Sequence, residues 1–121
     1  MSETRELQRE QWADYLNSVT KADTGMLVTM EVMGEDVGDQ VDVERLPLNL
    51  INYDHRDDVL EVGVGGFGTR YPVVLRHLIS NPQTVEVQES EPLAPETIKI
   101  VDSEGTTTLV RLFAPTELPA S

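Results

Sequence analysis

The sequence predicts an α+β fold in which an N-terminal helix packs on a strongly bent, mainly antiparallel β-sheet or partial barrel of about six to seven strands. A second short helix is expected at about residues 72–80. Three observations lead to this prediction: an apolar stripe of helical period near the N terminus, apolar alternation of period two along most of the remaining chain, and short turns between successive apolar runs. Strands joined by short turns pair antiparallel, and a long series of them in one small domain curls the sheet.

The first predicted element is a helix within residues 9–22. Its apolar residues recur at i, i+3, i+4 and i+7 and therefore share one face: Trp12, Tyr15, Leu16 and Val19. Leu7 is a candidate to extend this stripe by one turn. Glu10 near the start and Lys21 near the end suit the helix dipole, and Gly25 is the expected stop.

Period-two alternation predicts strands from residue 26 to about residue 65. Segments 26–34 and 40–48 alternate between apolar and polar residues, which suits half-buried strands. Pro47 cannot donate a hydrogen bond to a ladder and therefore marks an edge, a bend or a break. The apolar runs 49–54 and 59–64 flank a short polar segment, which predicts a hairpin.

The C-terminal half predicts the short helix and then three more strands. Pro72 suits a first helical position and Asn81-Pro82 would end the helix. Four apolar residues would then face inward and two polar ones outward: Val74, Leu75, Leu78 and Ile79, and Arg76 and His77. Residues 84–89 form the next predicted strand, and residues 90–96 a loop. Residues 97–113 form a hairpin whose turn needs a positive φ at Gly105.

Length and composition indicate a single domain, residues 1–121, with an ordered core at about 6–114 and with mobile terminal residues. No apolar run is long enough to span a bilayer, and the charged N terminus lacks the apolar region of a secretory signal. The chain has no cysteine, which excludes disulfides, thiolate catalysis and cysteine zinc sites. We therefore expect a cytoplasmic protein that has no membrane partner.

The charge balance is strongly acidic. Asp and Glu number 22 against 9 Lys and Arg, so the formal net charge is −13. A chain with this charge and no basic stripe is repelled by phosphate backbones, and we predict no nucleic-acid partner. Three interpretations stay open: a surface selected for solubility, adaptation to high salt, and a partner with a basic patch.

The stretch GVGGFG, residues 63–68, spells the dinucleotide-binding pattern G-x-G-x-x-G. In a true dinucleotide turn the helix begins inside the motif, so that its first amides reach the pyrophosphate. Here three residues separate the motif from Pro72, which has no amide proton, and the preceding strand belongs to a hairpin. We therefore predict a flexible loop and no cofactor. An anion site formed by this loop is the alternative, with Gly63, Gly65, Gly66, Gly68 and Arg70 as its candidate residues.

Other candidate chemistry is sparse. His55 lies beside Asp54, Asp57 and Asp58, but hairpin turns collect such residues for turn geometry alone. His77 has no spacing that links it to His55. The acidic segment 35–44 does not match a calcium loop, and no serine lies in a nucleophile elbow. We therefore predict no catalytic residue and no metal site.

Several segments resemble a family of small bacterial and archaeal proteins known only as a domain of unknown function. The resemblance covers about Leu7 to Leu112. It rests on LPLNLINYD at 46–54, DDVLEV at 57–62 and HLISNP at 77–82. It implies a single cytoplasmic domain and provides no catalytic roles, and the glycine-rich stretch is not one of its defining pieces.

Together these observations favour a non-enzymatic binding or interaction domain whose partner is another protein or its own copy. One alternative is a small-ligand or anion-binding protein that uses the Gly63–Gly68 loop and has a catalytic role for His55 or His77. The other alternative is a salt- or stress-adapted accessory protein.

Overall fold

The structure, a computed structural model, describes residues 3–34, 38–67, 71–91 and 94–113. Its elements in chain order are β1 (Glu3–Glu6), a 3₁₀ turn (Arg9–Gln11), α1 (Trp12–Asp23), β2 (Leu27–Gly34), β3 (Gly38–Asp54), β4 (Val59–Phe67), β5 (Tyr71–Ser80), β6 (Pro82–Glu91), β7 (Ala94–Asp102) and β8 (Thr107–Phe113). The predicted N-terminal helix and antiparallel sheet are therefore confirmed. The described residues form eight strands, more than predicted, and the prediction of a second helix is wrong. No helix in the described ranges is long and apolar enough to cross a membrane.

All eight strands belong to one open sheet in the order β1-β6-β7-β8-β2-β3-β4-β5, and each neighbouring pair is antiparallel. β3 is long because it pairs with two different strands. Its first part pairs with β2 as far as Pro47, which lies opposite Leu27, and its second part pairs with β4 from Leu48, which lies opposite Val64. Arg45, with φ of 54°, and a shift in the β2–β3 register precede this change of partner. Such irregularities bend a strand and increase its twist.

α1 covers the part of β3 that β2 does not reach. Its buried residues form the predicted stripe: Trp12, Tyr15, Leu16 and Val19. The Thr20 hydroxyl accepts a hydrogen bond from the Ile51 amide and donates one to the Ile51 carbonyl, so the helix satisfies backbone groups at that strand edge. Gly25, with φ of 94°, follows the helix as predicted, and its amide donates to the Leu48 carbonyl.

The hydrophobic core lies between α1 and one face of the sheet. Alternate strand residues supply most of it, because successive side chains point to opposite faces. Besides the helix stripe, its buried members are Leu7, Val28, Met30, Leu48, Ile51, Leu60, Val62, Val64, Ile79, Val85, Val87, Ile98, Ile100, Val110 and Leu112. Full burial of one such side chain contributes about 1.5–3 kcal/mol.

Residues 71–80 form strand β5 where the sequence pattern predicts a helix. β5 pairs along its length with β4, for example Leu75 with Val64 and Ile79 with Leu60. The spacing of the apolar residues in this segment fits one helix face, but as a strand the segment pairs with backbone groups of β4 and still buries Ile79 in the core. Pro72 is tolerated because β5 is an edge strand, where a missing donor costs little.

The glycine-rich stretch is also a strand where a loop is predicted. Residues Gly63 to Phe67 belong to β4. Gly65 and Gly66 have φ of 88° and 77°, and the register with β5 shifts between Gly65 and Phe67, so these glycines form a β-bulge. Gly68 and Arg70 lie outside the described residues.

The turns follow their sequence signals more closely. The predicted hairpin connects β3 and β4 through residues 55–58. Gly105 has φ of 82°, as predicted, and a carboxylate oxygen of Asp102 accepts hydrogen bonds from the amides of Glu104 and Thr106. β6 and β7 extend into the predicted 90–96 loop. The short strand β1 has no counterpart in the sequence analysis, and the predicted mobile tail after residue 114 lies outside the described residues.

Candidate functional site

The free edges of the described sheet differ in how they are protected. β1 is four residues long and carries Glu3, Arg5 and Glu6 in its sequence, features that discourage pairing with another chain. The free edge of β3 is covered by α1 through Thr20. β5 has ten residues, and among the described residues it pairs with β4 alone. β5 is therefore a ten-residue edge strand that no helix of the described residues covers, and its sequence contains Pro72 and one charged residue, Arg76.

β5 also carries exposed apolar side chains. Val74, Leu75 and Leu78 are 41%, 48% and 59% exposed, and they are the exposed large apolar side chains of the described part of the chain. We call them the apolar strip. Leu75 lies opposite Val64, on the face that includes the core, whereas Val74 and Leu78 lie on the other face. The apolar strip therefore extends around the strand edge.

The neighbouring strand explains why this strip is uncovered. Val74 lies opposite Gly65, which has no side chain to shield it, and Leu78 lies opposite Glu61. The Glu61 carboxylate is paired with the Arg76 guanidinium at 3.0 Å, which holds both charged groups beside the strip. The Cβ of any residue at position 66 would lie 2.6 Å from Val74 Cγ2, so the glycine bulge also keeps room for that side chain.

A second polar cluster surrounds Arg9 at the start of α1. Its Nη1 donates to the Tyr53 hydroxyl at 3.1 Å and lies 3.2 Å from a carboxylate oxygen of Asp58, while Nη2 donates to the Pro82 carbonyl at 3.0 Å. The guanidinium also stacks over the Trp12 ring, 4.4 Å from its centroid. Arg9 thus fastens the chain before α1 to the β3–β4 turn and to the start of β6.

Tyr53 and Asp58 are coupled within this cluster. The Tyr53 hydroxyl donates to Asp58 at 2.6 Å, and the ring meets Trp12 edge-on at 5.1 Å between centroids. Burial and this hydrogen bond raise the pKa of Tyr53, although Arg9 opposes the shift. Asp58 itself has φ of 53°, and its carbonyl accepts a hydrogen bond from the Asn81 amide at 2.8 Å. These contacts hold the β3–β4 turn against the β5–β6 turn, which is a structural role.

An open cleft of about 600 Å³ lies beside the Arg9 cluster. Its lining residues are Arg9, Glu10, Ala13, Tyr53, His55 and Asp58. His55 therefore lies near the Arg9 cluster, as its position in the hairpin requires. His77 lines a different cavity of about 250 Å³, together with residues of the β7–β8 turn. The structure does not bring the two histidines into one site.

A third cluster lies between α1 and the β1–β6 edge, with Tyr15 and Glu89 buried and Arg5 exposed. The Glu89 carboxylate accepts a hydrogen bond from the Tyr15 hydroxyl at 2.7 Å and one from Arg5 Nε at 2.9 Å. Burial, and then the bond to Glu89, raise the pKa of Tyr15 well above its ordinary value. The bond to Glu89 likewise raises the pKa of Arg5. The cluster ties three elements together and was not predicted from the sequence. The available signal was strand alternation, which puts Glu89 on the same face as Val85 and Val87.

Of the predicted anion-site residues, Gly63, Gly65 and Gly66 lie in β4, and the site itself stays a prediction. In the described part of the chain, no three His, Asp or Glu side chains are grouped in a way that could hold a metal ion. The side chains of the acidic segment 35–44 lie outside that part.

Comparisons with known proteins place the chain in a family. Residues 3–121 match the model of a family described as "Family of unknown function (DUF5335)". An "Uncharacterized protein" of Aquifex aeolicus (strain VF5) is 34% identical over 116 residues, which cover 96% of this chain and 97% of the relative. No solved structure matches significantly. The resemblance inferred from the sequence is thus confirmed, and the chain belongs to this family of unknown function.

Proposed function

We propose that this protein is a non-enzymatic, cytoplasmic interaction domain that binds an extended segment of a protein along strand β5. One observation carries the proposal. The long edge strand that no described helix covers is also the place where large apolar side chains are exposed, namely the apolar strip of Val74, Leu75 and Leu78.

In the described part of the chain, β5 combines unpaired backbone groups with exposed apolar side chains at one place. An edge strand presents backbone amides and carbonyls that can pair with one more strand, and this pairing supplies affinity. The exposed apolar side chains along the edge supply further free energy when a partner covers them. A strand added beside β5 would satisfy both requirements at once.

We expect a charge in the apolar strip to weaken binding strongly and to leave the fold intact. Leu78 is 59% exposed, so Leu78→Glu removes little core packing, and the like charge of Glu61 opposite it in β4 costs at most about 1 kcal/mol. Asn17→Glu is the matched control, because it adds the same charge to an exposed position of α1. Thermal unfolding and circular dichroism would show whether both variants fold like the natural chain.

Binding is measured by sedimentation of the purified protein and by capture from cell extract. A captured protein counts only when its purified form binds the natural chain. We expect association for the natural chain and the Asn17→Glu variant, and a loss of about tenfold or more in affinity for Leu78→Glu. The proposal is overturned by a chain that neither self-associates nor binds a purified partner, or by equal binding of the two variants.

A further inference from the structure

We propose that the segment bound along β5 is β5 of a second copy of this chain, paired antiparallel across a two-fold axis centred on Arg76. This inference rests on the proposed function and identifies its partner. A two-fold axis brings the same patch of both copies together, so the patch must complement itself.

The pattern of β5 complements itself in one register. When two antiparallel copies of β5 extend one sheet, side chains that lie opposite each other point to the same face of that sheet. Even-numbered residues therefore lie opposite even-numbered residues, and odd-numbered residues opposite odd-numbered ones. When Arg76 lies on the axis, Val74 of each copy lies opposite Leu78 of the other, and Leu75 lies opposite His77. This register forms two Val–Leu pairs on one face. A shift by two residues in either direction would place Val74 opposite Arg76, or Leu78 opposite Arg76.

Charge also favours β5 as the contact between copies. The chain has a net charge of −13, so contact between most of its surfaces would bring carboxylates together. Residues 71–80 contain no Asp or Glu, and include Arg76 and His77. Two copies that meet along β5 therefore keep most of their acidic groups away from the interface.

The cost of this register is the approach of two Arg76 side chains at its centre, since like charges directly opposite each other are destabilising. Each guanidinium already lies 3.0 Å from the Glu61 carboxylate of its own chain. This pairing reduces the repulsion between the two copies. The glycine at position 63, opposite Arg76 in β4, leaves both side chains room to turn toward their own Glu61.

Cysteine cross-linking tests the register directly, because the natural chain contains no cysteine. In this arrangement two residues at position 76 face each other across the axis, at a Cα separation of about 4.5–5.5 Å that a disulfide can bridge. The two residues at position 74, one in each copy, are offset by four residues along the strands, which is about 13 Å and too far for a disulfide. We therefore expect Arg76→Cys to give a disulfide dimer under mild oxidation, and Val74→Cys and Asn17→Cys to give none.

Two further variants complete the test. The double variant Val74→Cys, Leu78→Cys should cross-link, because its cysteines face each other in this register while Arg76 and its ion pair stay in place. Cross-linking by Leu75→Cys in preference to Arg76→Cys would overturn the register. Sedimentation of the natural chain should show a dimer that Leu78→Glu weakens by about tenfold or more.

The outcomes separate this inference from the proposed function. A natural chain that stays monomeric overturns the two-fold pairing. So does a dimer in which neither Arg76→Cys nor the double variant cross-links faster than Asn17→Cys. In both cases a purified heterologous partner whose binding Leu78→Glu abolishes would still support the interaction domain. If no such partner exists either, both proposals are wrong.

Discussion

Position 66 requires glycine for two reasons: its backbone conformation and the nearby Val74 side chain. Its φ of 77° is strained for residues with a Cβ, and such a Cβ would lie 2.6 Å from Val74 Cγ2. Gly65, beside it, has φ of 88°, and its carbonyl accepts a hydrogen bond from the Asn49 side chain. The glycines that spell a nucleotide-binding pattern therefore have a structural explanation in β4, as a bulge that leaves space at the edge strand.

We expect Gly66→Ala to lower the free energy of unfolding by about 1–3 kcal/mol and to displace the Val74 side chain. Gly105→Ala is the control, because Gly105 has φ of 82° and no atom within 4 Å of an added Cβ. It should cost only the backbone strain, about 1–2 kcal/mol. Urea unfolding measures both costs, and sedimentation should show weaker association for Gly66→Ala alone. Equal association of the two variants would contradict the link between the bulge and the apolar strip.

Single residues also show the limits of sequence reasoning about sites. His55 was correctly placed in a hairpin turn, because Asp-rich segments between apolar runs specify turns locally. Its neighbour Arg9 is 46 positions earlier in the chain, and no local pattern connects them. The Arg9 cluster depends on how α1, the β3–β4 turn and β6 meet, which only the tertiary fold determines.

At the scale of elements, the predictions succeeded where one face of an element is buried. α1 was found because its stripe faces the core, and the β7–β8 hairpin because alternation and Gly105 agree. β5 failed for the opposite reason. Its apolar residues occupy both faces, with Ile79 buried and Leu78 exposed, so it shows no period-two pattern.

The contact of α1 with β6 gives a prediction about pH. Tyr15 of α1 donates to the buried carboxylate of Glu89 in β6, and its raised pKa means that the folded state resists ionisation of the phenol. Above about pH 10 the unfolded chain loses this proton first and is stabilised. The contribution of Tyr15 to stability is therefore full below pH 10 and is lost as pH rises toward the folded-state pKa, by up to about 1.4 kcal/mol per pH unit.

The variant Tyr15→Phe tests whether stability falls in this way as the pH rises. At pH 8 the variant should be less stable by about 1–3 kcal/mol, because Glu89 loses one of its donors. Phenylalanine has no proton to lose, so the difference between the natural chain and the variant should shrink between pH 10 and 11. Tyr53, whose pKa is also raised, affects both proteins equally and cancels from the difference. Urea unfolding at each pH measures the difference in stability between the natural chain and the variant. A difference that stays constant with pH would show that the ionisation of Tyr15 is not coupled to unfolding.

At the scale of the whole molecule, the dominant feature is the net charge of −13 on a chain of 121 residues. Cross-strand ion pairs such as Arg111 with Glu31, at 2.7 Å, offset this charge locally. Exposed pairs of this kind contribute little, typically below about 1 kcal/mol. The remaining carboxylates repel one another in the folded chain, and more so between two copies.

Salt should therefore stabilise the fold and strengthen the association of copies. Between about 10 mM and 1 M KCl the Debye length falls from about 30 Å to about 3 Å, and most of the screening is complete by about 0.15 M. We expect the melting temperature and the dimer fraction to rise steeply over the lower part of this range and then to level off. A protein adapted to high salt would instead continue to gain stability up to molar KCl. Differential scanning calorimetry and sedimentation across the salt series distinguish the two behaviours.

The control for this experiment is pH. Near the isoelectric point of about 4.3 the net repulsion vanishes, so the same salt series should leave the melting temperature nearly constant. Leu78→Glu separates the two effects of salt, because its fold should still be stabilised while its association stays weak. If salt weakened the association of the natural chain, attraction between opposite charges would hold the copies together. In that case the contact would involve the acidic surface and not the apolar strip of β5.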